Sequence, residues 1–112
     1  MEDLLGVLKA ISDENRLKII NLLLVHDYCV GALAARLGIS KAAVSQHLQV
    51  LRKSGLVKGE KRGYWTHYSV QRESLRLLAG TFEDLAAKNG SHRACQKETN
   101  GPCCGKEGNH EL

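Results

Sequence analysis

Two groups of residues in this 112-residue chain have the types and spacing to do chemistry. One is a set of thiols: Cys29 stands alone, while Cys95, Cys103 and Cys104 lie close together around Gly101-Pro102. Thiolates are soft donors and select soft ions. The other group is the run SKAAVSQHLQVLRK from Ser40 to Lys53, which mixes small, hydroxyl, amide and basic residues and holds no acid. On a helix, Ala42, Gln46, Gln49 and Lys53 share one face, with Ser45 at its edge and Lys41 at its start. Such a face suits base edges: a glutamine can make a bidentate contact with adenine, and small residues at the N-terminal end let a helix sink into a major groove. The plain alternative is the solvated face of a helical hairpin.

The elements that must position these groups can be read from period and punctuation. Across CVGALAARLGISKAAVSQHLQVLRKSGLV, from Cys29 to Val57, Val30, Leu33 and Leu37 recur at helical spacing and Gly38-Ile39 makes a turn. A second helix opens at Ser40, a good N-cap, and stops at Ser54-Gly55; its Val44, Leu48 and Leu51 form a core face. A short helix, a tight turn and a longer helix read as helix-turn-helix. Upstream, Leu4, Leu5, Leu8 and Ile11 give residues 3–11 one apolar stripe. Ser12-Asp13-Glu14-Asn15 then caps RLKIINLLLV, whose Leu17, Ile20, Leu23 and Leu24 are expected in the core, and His26-Asp27 breaks that helix.

After Gly55 the period changes to two. Leu56–Lys61 and Tyr64–Val70 read as strands joined at Arg62-Gly63, which makes the fold mainly α with a small β-hairpin: a winged helix-turn-helix. The wing tip, with Lys61 and Arg62, is expected over the phosphate backbone or in the minor groove. Tyr64, Trp65 and Tyr68 are assigned to packing rather than base stacking. Residues 71–88 form a last helix with Leu75, Leu78, Phe82 and Leu85 spaced as an a/d seam. A domain this small has little core to offer both that seam and the Leu4-Leu8 stripe. A homodimer through the first and last helices is therefore expected; the alternative closes both stripes on one core. The domain spans 1–88, and 89–112 is a tail too polar to fold alone.

Length allows one domain, and an apolar fraction of 43% excludes wholesale disorder. No apolar run approaches the roughly 18 residues of a membrane span, and the start is acidic, so a cytoplasmic protein with no membrane partner is expected. In a reducing compartment the cysteines are thiols or ligands rather than disulfides. From Arg36 to Arg62, seven basic residues stand against Glu60 alone, a net of +6 where the whole chain carries +4. That concentration is the footprint of a polyanion partner. There is no nucleophile and base at meaningful spacing, no phosphate loop and no pair of acids in an apolar setting, so no enzyme is expected.

The run ISDENRLKIINLLL, then CVGALAARLGISKAAVSQHLQVLRKSGLV, then the hairpin GEKRGYWTHYSV resembles the arsenic-repressor (ArsR/SmtB) family of metal- and metalloid-sensing transcriptional repressors, over roughly residues 3–88. The resemblance implies a dimeric winged helix that binds double-stranded operator DNA and leaves it when an inducer binds. It places Ser45 and Gln46 against DNA and builds the dimer from the first and last helices. The chain also departs from the family. Arsenical sensors carry a Cys-x-Cys at the start of the first motif helix, often with a further Cys; here Cys29-Val30-Gly31 and Ala34 keep one thiol. The last helix offers Glu73, Glu83 and Asp84 with no His before His92, against a zinc or nickel site there. The tail thiols Cys95, Cys103 and Cys104 remain, and three thiolates suit trivalent arsenic or antimony. Zinc or cadmium would need a fourth ligand, from Cys29, His92 or His110. His47 is expected to be a buried hydrogen-bonding group, while His26 and His67 have no ligand spacing. Other readings are incidental tail cysteines, a thiol redox or persulfide sensor pairing Cys29 with a tail thiol, or a protein-contact or metal-buffering module. The basic segment and glutamine face argue against the last.

Overall fold

The computed structural model describes residues 2–90. Its elements are α1 (Glu2–Ile11), α2 (Glu14–Val25), α3 (Val30–Leu37), α4 (Lys41–Lys53), β1 (Val57–Arg62), β2 (Trp65–Val70) and α5 (Arg72–Ala86). Each boundary has a local cause. Asp13 is the N-cap of α2, its carboxylate accepting from the Arg16 N–H at 3.0 Å. Gly38 ends α3 in the left-handed region at φ 72°, and Ser40 caps α4 by accepting from the Ala43 N–H at 3.0 Å. Gly55, at φ 81°, turns the chain out of α4 into the hairpin.

The core is aliphatic. Ile19 of α2, Leu33 of α3, Val44, Leu48 and Leu51 of α4, and Leu56 before β1 are its fully buried members. Burial of each such side chain stabilises the fold by about 1.5–3 kcal/mol. The expected core face of α4 is therefore present as read. In α2 the expectation is corrected: Leu17 is exposed and Ile19 is buried. The inward face is centred on Ile19, Ile20 and Leu23, about 100° round the helix from Leu17; the crowded apolar run LKIINLLLV has no polar residue on that side to mark it.

The two strands pair antiparallel in the register Val57↔Val70 to Arg62↔Trp65. The turn is thus Gly63-Tyr64, one residue later than Arg62-Gly63, with Gly63 taking the positive φ of 67° that a two-residue hairpin turn favours. Tyr28 adds an isolated bridge on the far edge of β2, where the Tyr68 N–H donates to the Tyr28 carbonyl at 2.9 Å. The packing role expected for three aromatics holds for one. Tyr68 packs against the core, whereas Tyr64 is 93% exposed and Trp65 61% exposed. Tyr64 lies at the turn, and Trp65 falls on the strand face opposite Tyr68 and Val70.

The start of α5 is pinned to the domain. Ser74 donates to the Gly55 carbonyl at 2.7 Å, Gln71 N–H to that of Leu56 at 2.8 Å, and Arg72 to that of Leu24 at 3.0 Å. The chain divides within α5 between Phe82 and Glu83. Residues 83–90, taken alone, complete the helix, and Ala87 N–H donates back to the Glu83 carbonyl at 2.9 Å. Among the described residues, no helix is long and apolar enough to cross a membrane.

Candidate nucleic-acid interface

With Val44, Leu48 and Leu51 held inward, α4 must turn its other side to solvent. Lys41, Ala42, Ser45, Gln46, Gln49 and Lys53 are all exposed on it. The structure therefore brings together the whole set read from the sequence on this helix. Lys41 lies over Gly31 of α3, where a methyl group would meet the Lys41 stem at an ordinary contact distance of 3.7 Å. Arg52, also exposed, stands 6.0 Å from the Tyr68 ring centroid, and Arg36 of α3 stands 4.9 Å from that of Tyr28. No carboxylate occurs on α4, so the amide and hydroxyl groups meet an approaching polyanion without repulsion.

The wing differs from expectation in one respect that matters. Lys61 is exposed, but Arg62 is not a free cation: its Nη2 donates to Asp27 Oδ2 at 2.7 Å and to Glu60 Oε1 at 3.3 Å. Asp27 first, and Glu60 after it, push the guanidinium further toward its charged form. Arg62 thus ties the hairpin to the connection between α2 and α3, the same connection that Tyr28 bridges to β2. Sequence reading missed this because Asp27 looked like a helix breaker. The signal available was an acid beside a bridging aromatic, too weak to assign a partner 35 positions away.

His47 is half-buried on the flank of α4, as expected, with its Nδ1 3.2 Å from Arg16 Nη1 and 3.9 Å from Asp13 Oδ2. The Arg16 N–H holds the Asp13 carboxyl below the usual carboxylate range. His67 has a buried Nδ1 with no protein partner.

Cys29 is a half-buried free thiol at the N-cap position of α3 and makes no capping hydrogen bond. Cys95, Cys103, Cys104, His92 and His110 lie outside the described residues. Among the described residues, no three His, Cys, Asp or Glu side chains cluster as metal ligands.

The apolar stripes on α1 and α5 are not consumed by the protomer. Leu75 packs against the core and Leu4, Leu8 and Leu78 are half-buried, but Leu5, Leu77, Phe82 and Leu85 are all about half exposed or more. An open groove lies beside the two helices, lined by Leu4, Val7, Leu77 and Leu78 and, at the end of α4, by Arg52 and Lys53.

A helix-turn-helix with an outward amide face, followed by a basic hairpin, defines a winged-helix DNA-binding domain. Residues 13–58 match the model of bacterial regulatory proteins of the arsR family. The chain is 38% identical over 72 residues to the transcriptional activator HlyU of Vibrio cholerae, an alignment covering 64% of this chain and 67% of HlyU. It is 43% identical over 61 residues to the arsenical resistance operon repressor of Escherichia coli, covering 54% of this chain and 52% of that repressor. The solution structure of a homodimeric winged helix-turn-helix domain from Mycobacterium bovis superposes with a TM-score of 0.65 at 28% identity, covering 81% of this chain and 89% of that one. The chain belongs to the ArsR family and is a DNA-binding transcriptional regulator; the relatives named here are regulators rather than enzymes.

Proposed function

We propose that the chain acts as a homodimeric repressor that binds operator DNA through α4 and the wing and is released when trivalent arsenic or antimony binds cysteine thiolates. The observation that carries the DNA half is the acid-free exposed face of α4, with Gln46 and Gln49 for base edges, Ser45 beside them, and Lys41 and Lys53 at its ends for phosphates. The dimer draws support from the exposed apolar residues of α1 and α5: pairing two copies there removes that surface from water and presents two recognition helices to half-sites roughly 34 Å apart. The homodimeric relative from Mycobacterium bovis is in keeping with it.

The inducer reading rests on donor chemistry and on similarity to an arsenical repressor. Cys95, Cys103 and Cys104 supply three soft ligands, with Cys29 as a fourth thiol within the folded domain. An inducer shifts the equilibrium only if it binds the DNA-incompetent dimer more tightly; a coupling of about 1–3 kcal/mol is typical. The test is fluorescence anisotropy of the DNA-bound protein titrated with arsenite, antimonite, cadmium and zinc. Release by arsenite that is lost in Cys103→Ser or Cys104→Ser, with DNA affinity otherwise unchanged, is the expected result. A chain ending at Asn89 that still responds to arsenite removes the tail from the site and leaves Cys29.

A second reading has its own observation: one solved structure of HlyU, 32% identical over 78% of this chain with a TM-score of 0.63, is described as the reduced form. On that reading Cys29 and a tail thiol pass two electrons and two protons to a peroxide, giving a disulfide and two waters. Mass spectrometry after mild oxidation separates the two.

A further inference from the structure

The inward stripe of α2, Ile19, Ile20 and Leu23, extends at the same helical spacing back to Arg16. In α4, the stripe Val44, Leu48 and Leu51 has His47 at its remaining position. Two packed helices thus each place one polar residue where an apolar one is ordinary, and the two meet at 3.2 Å through Arg16 Nη1 and His47 Nδ1. The rest of the guanidinium is committed to α1: Nε donates to the buried Ala10 carbonyl at 2.6 Å, and Nη2 to that of Lys9 at 3.5 Å. Both carbonyls fall in the last turn of α1, where a helix runs short of donors; that of Lys9 also accepts from the Ser12 N–H at 3.3 Å. One guanidinium fork therefore joins the end of α1, the start of α2 and the middle of α4.

We infer that Arg16 and His47 are positioning residues for DNA recognition, fixing α4 against α1 through this fork. The inference rests on the reading of α4 as the recognition helix and of α1 as part of the dimer. Arginine offers donors only, so Nδ1 of His47 must accept and the imidazole proton must lie on Nε2. A protonated His47 has no acceptor left. It loses the Arg16 bond, is repelled by the guanidinium, and is drawn to the Asp13 carboxylate 3.9 Å away. Arg16 and Asp13 are the charged groups facing it from α2, while α1 contributes the Ala10 and Lys9 carbonyls that hold Arg16. In a dimer built on α1, a turn of α4 against α1 changes the separation of the two recognition helices. Base readout requires that separation to match the groove, whereas phosphate contacts tolerate a shift.

The experiment compares binding to a duplex selected by the wild type from a random library with binding to an unrelated duplex of equal length, from neutral to mildly acidic pH. The expected result is a selected-to-unrelated affinity ratio that falls by about fivefold or more toward low pH. His47→Gln, whose side-chain oxygen can accept from Arg16 without titrating, keeps the ratio and flattens its pH dependence. Arg16→Gln and His47→Ala lower the ratio at every pH, while circular dichroism confirms that each variant is folded at the assay temperature. A His47→Gln ratio that still falls with pH as in the wild type overturns the proposal, as does a nitrogen-15 spectrum placing the neutral His47 proton on Nδ1. Unchanged ratios in all three variants overturn it alone. A wild type that selects no duplex overturns the reading of α4 and this proposal with it.

Discussion

Asp27→Asn should tighten DNA binding. The carboxylate lies 2.7 Å from Arg62, nearer than Glu60 at 3.3 Å, and the Arg62 side chain is 48% exposed, open to a phosphate if released. An intramolecular acid that occupies the guanidinium competes with the phosphate it would otherwise meet. Freeing one cation to a phosphate steepens the slope of log affinity against log salt by about 0.9, which over a fourfold change in salt is a factor of about 3.5. The exposed pair is itself a weak contact, so a gain of about twofold to fourfold at low salt is the expected size. Anisotropy titrations of a labelled duplex at several salt concentrations read both quantities. The gain should be equal on selected and unrelated duplexes, since a phosphate contact carries no sequence information. The control is Asp27→Asn in an Arg62→Ala background, where no change of slope is expected. The reasoning is refuted if Asp27→Asn leaves the slope unchanged, or if it tightens binding as much without Arg62 as with it.

Three further outcomes follow from the same geometry. Gln46→Ala should cost on the order of 1–3 kcal/mol on a selected duplex and little on an unrelated one; an equal loss on both would make Gln46 a backbone contact. Leu78→Glu or Phe82→Glu places an unpaired charge in the α1/α5 seam at a cost of several kcal/mol, so sedimentation should show monomer and DNA affinity should collapse; a wild type that is monomeric at micromolar concentration contradicts the dimer. Asp13 has its carboxyl held below the usual range by the Arg16 N–H, so its contribution is present above the unfolded-state value and lost as pH falls through the folded-state one. The urea midpoint of Asp13→Asn should therefore fall less on acidification than that of the wild type.

The helix-turn-helix could be read in advance because each signal there is local. Ser40, Gly38 and Gly55 act on their own helix ends, and Val44, Leu48 and Leu51 repeat at one period, so no knowledge of neighbours was needed. Where the outcome depended on what lies across the fold, the reading failed. Leu17 and Ile19 are interchangeable in hydropathy and only the packing of α3 and α4 separates them. Tyr64 and Trp65 alternate like strand residues, but alternation does not say which face of a two-stranded wing meets the core. Arg62 was recognisable as a wing cation, while its pairing with Asp27 is a tertiary contact between segments far apart in sequence. Arg16 and His47 hold stripe positions that an amphipathic count leaves unexplained until the two helices are placed side by side.

With one exception, Lys18, which pairs with Glu14 at 3.0 Å, the described cations fall into two populations. Arg16, Arg36, Arg52, Arg62, Arg72 and Arg76 each reach a carbonyl, a ring, an imidazole or a carboxylate of the protein, whereas Lys41, Lys53, Lys58 and Lys61 have no ion pair among the described residues. Arginine's planar fork is suited to fixed partners; a lysine ammonium is a mobile point charge. Holding the domain together and attracting a polyanion thus fall to chemically distinct side chains. Amine acylation, which leaves guanidinium groups untouched, should strip the protein of its hold on DNA while leaving its helices and their melting cooperativity in place. Graded acylation of the domain would then dial its residence on nonspecific DNA independently of its folding.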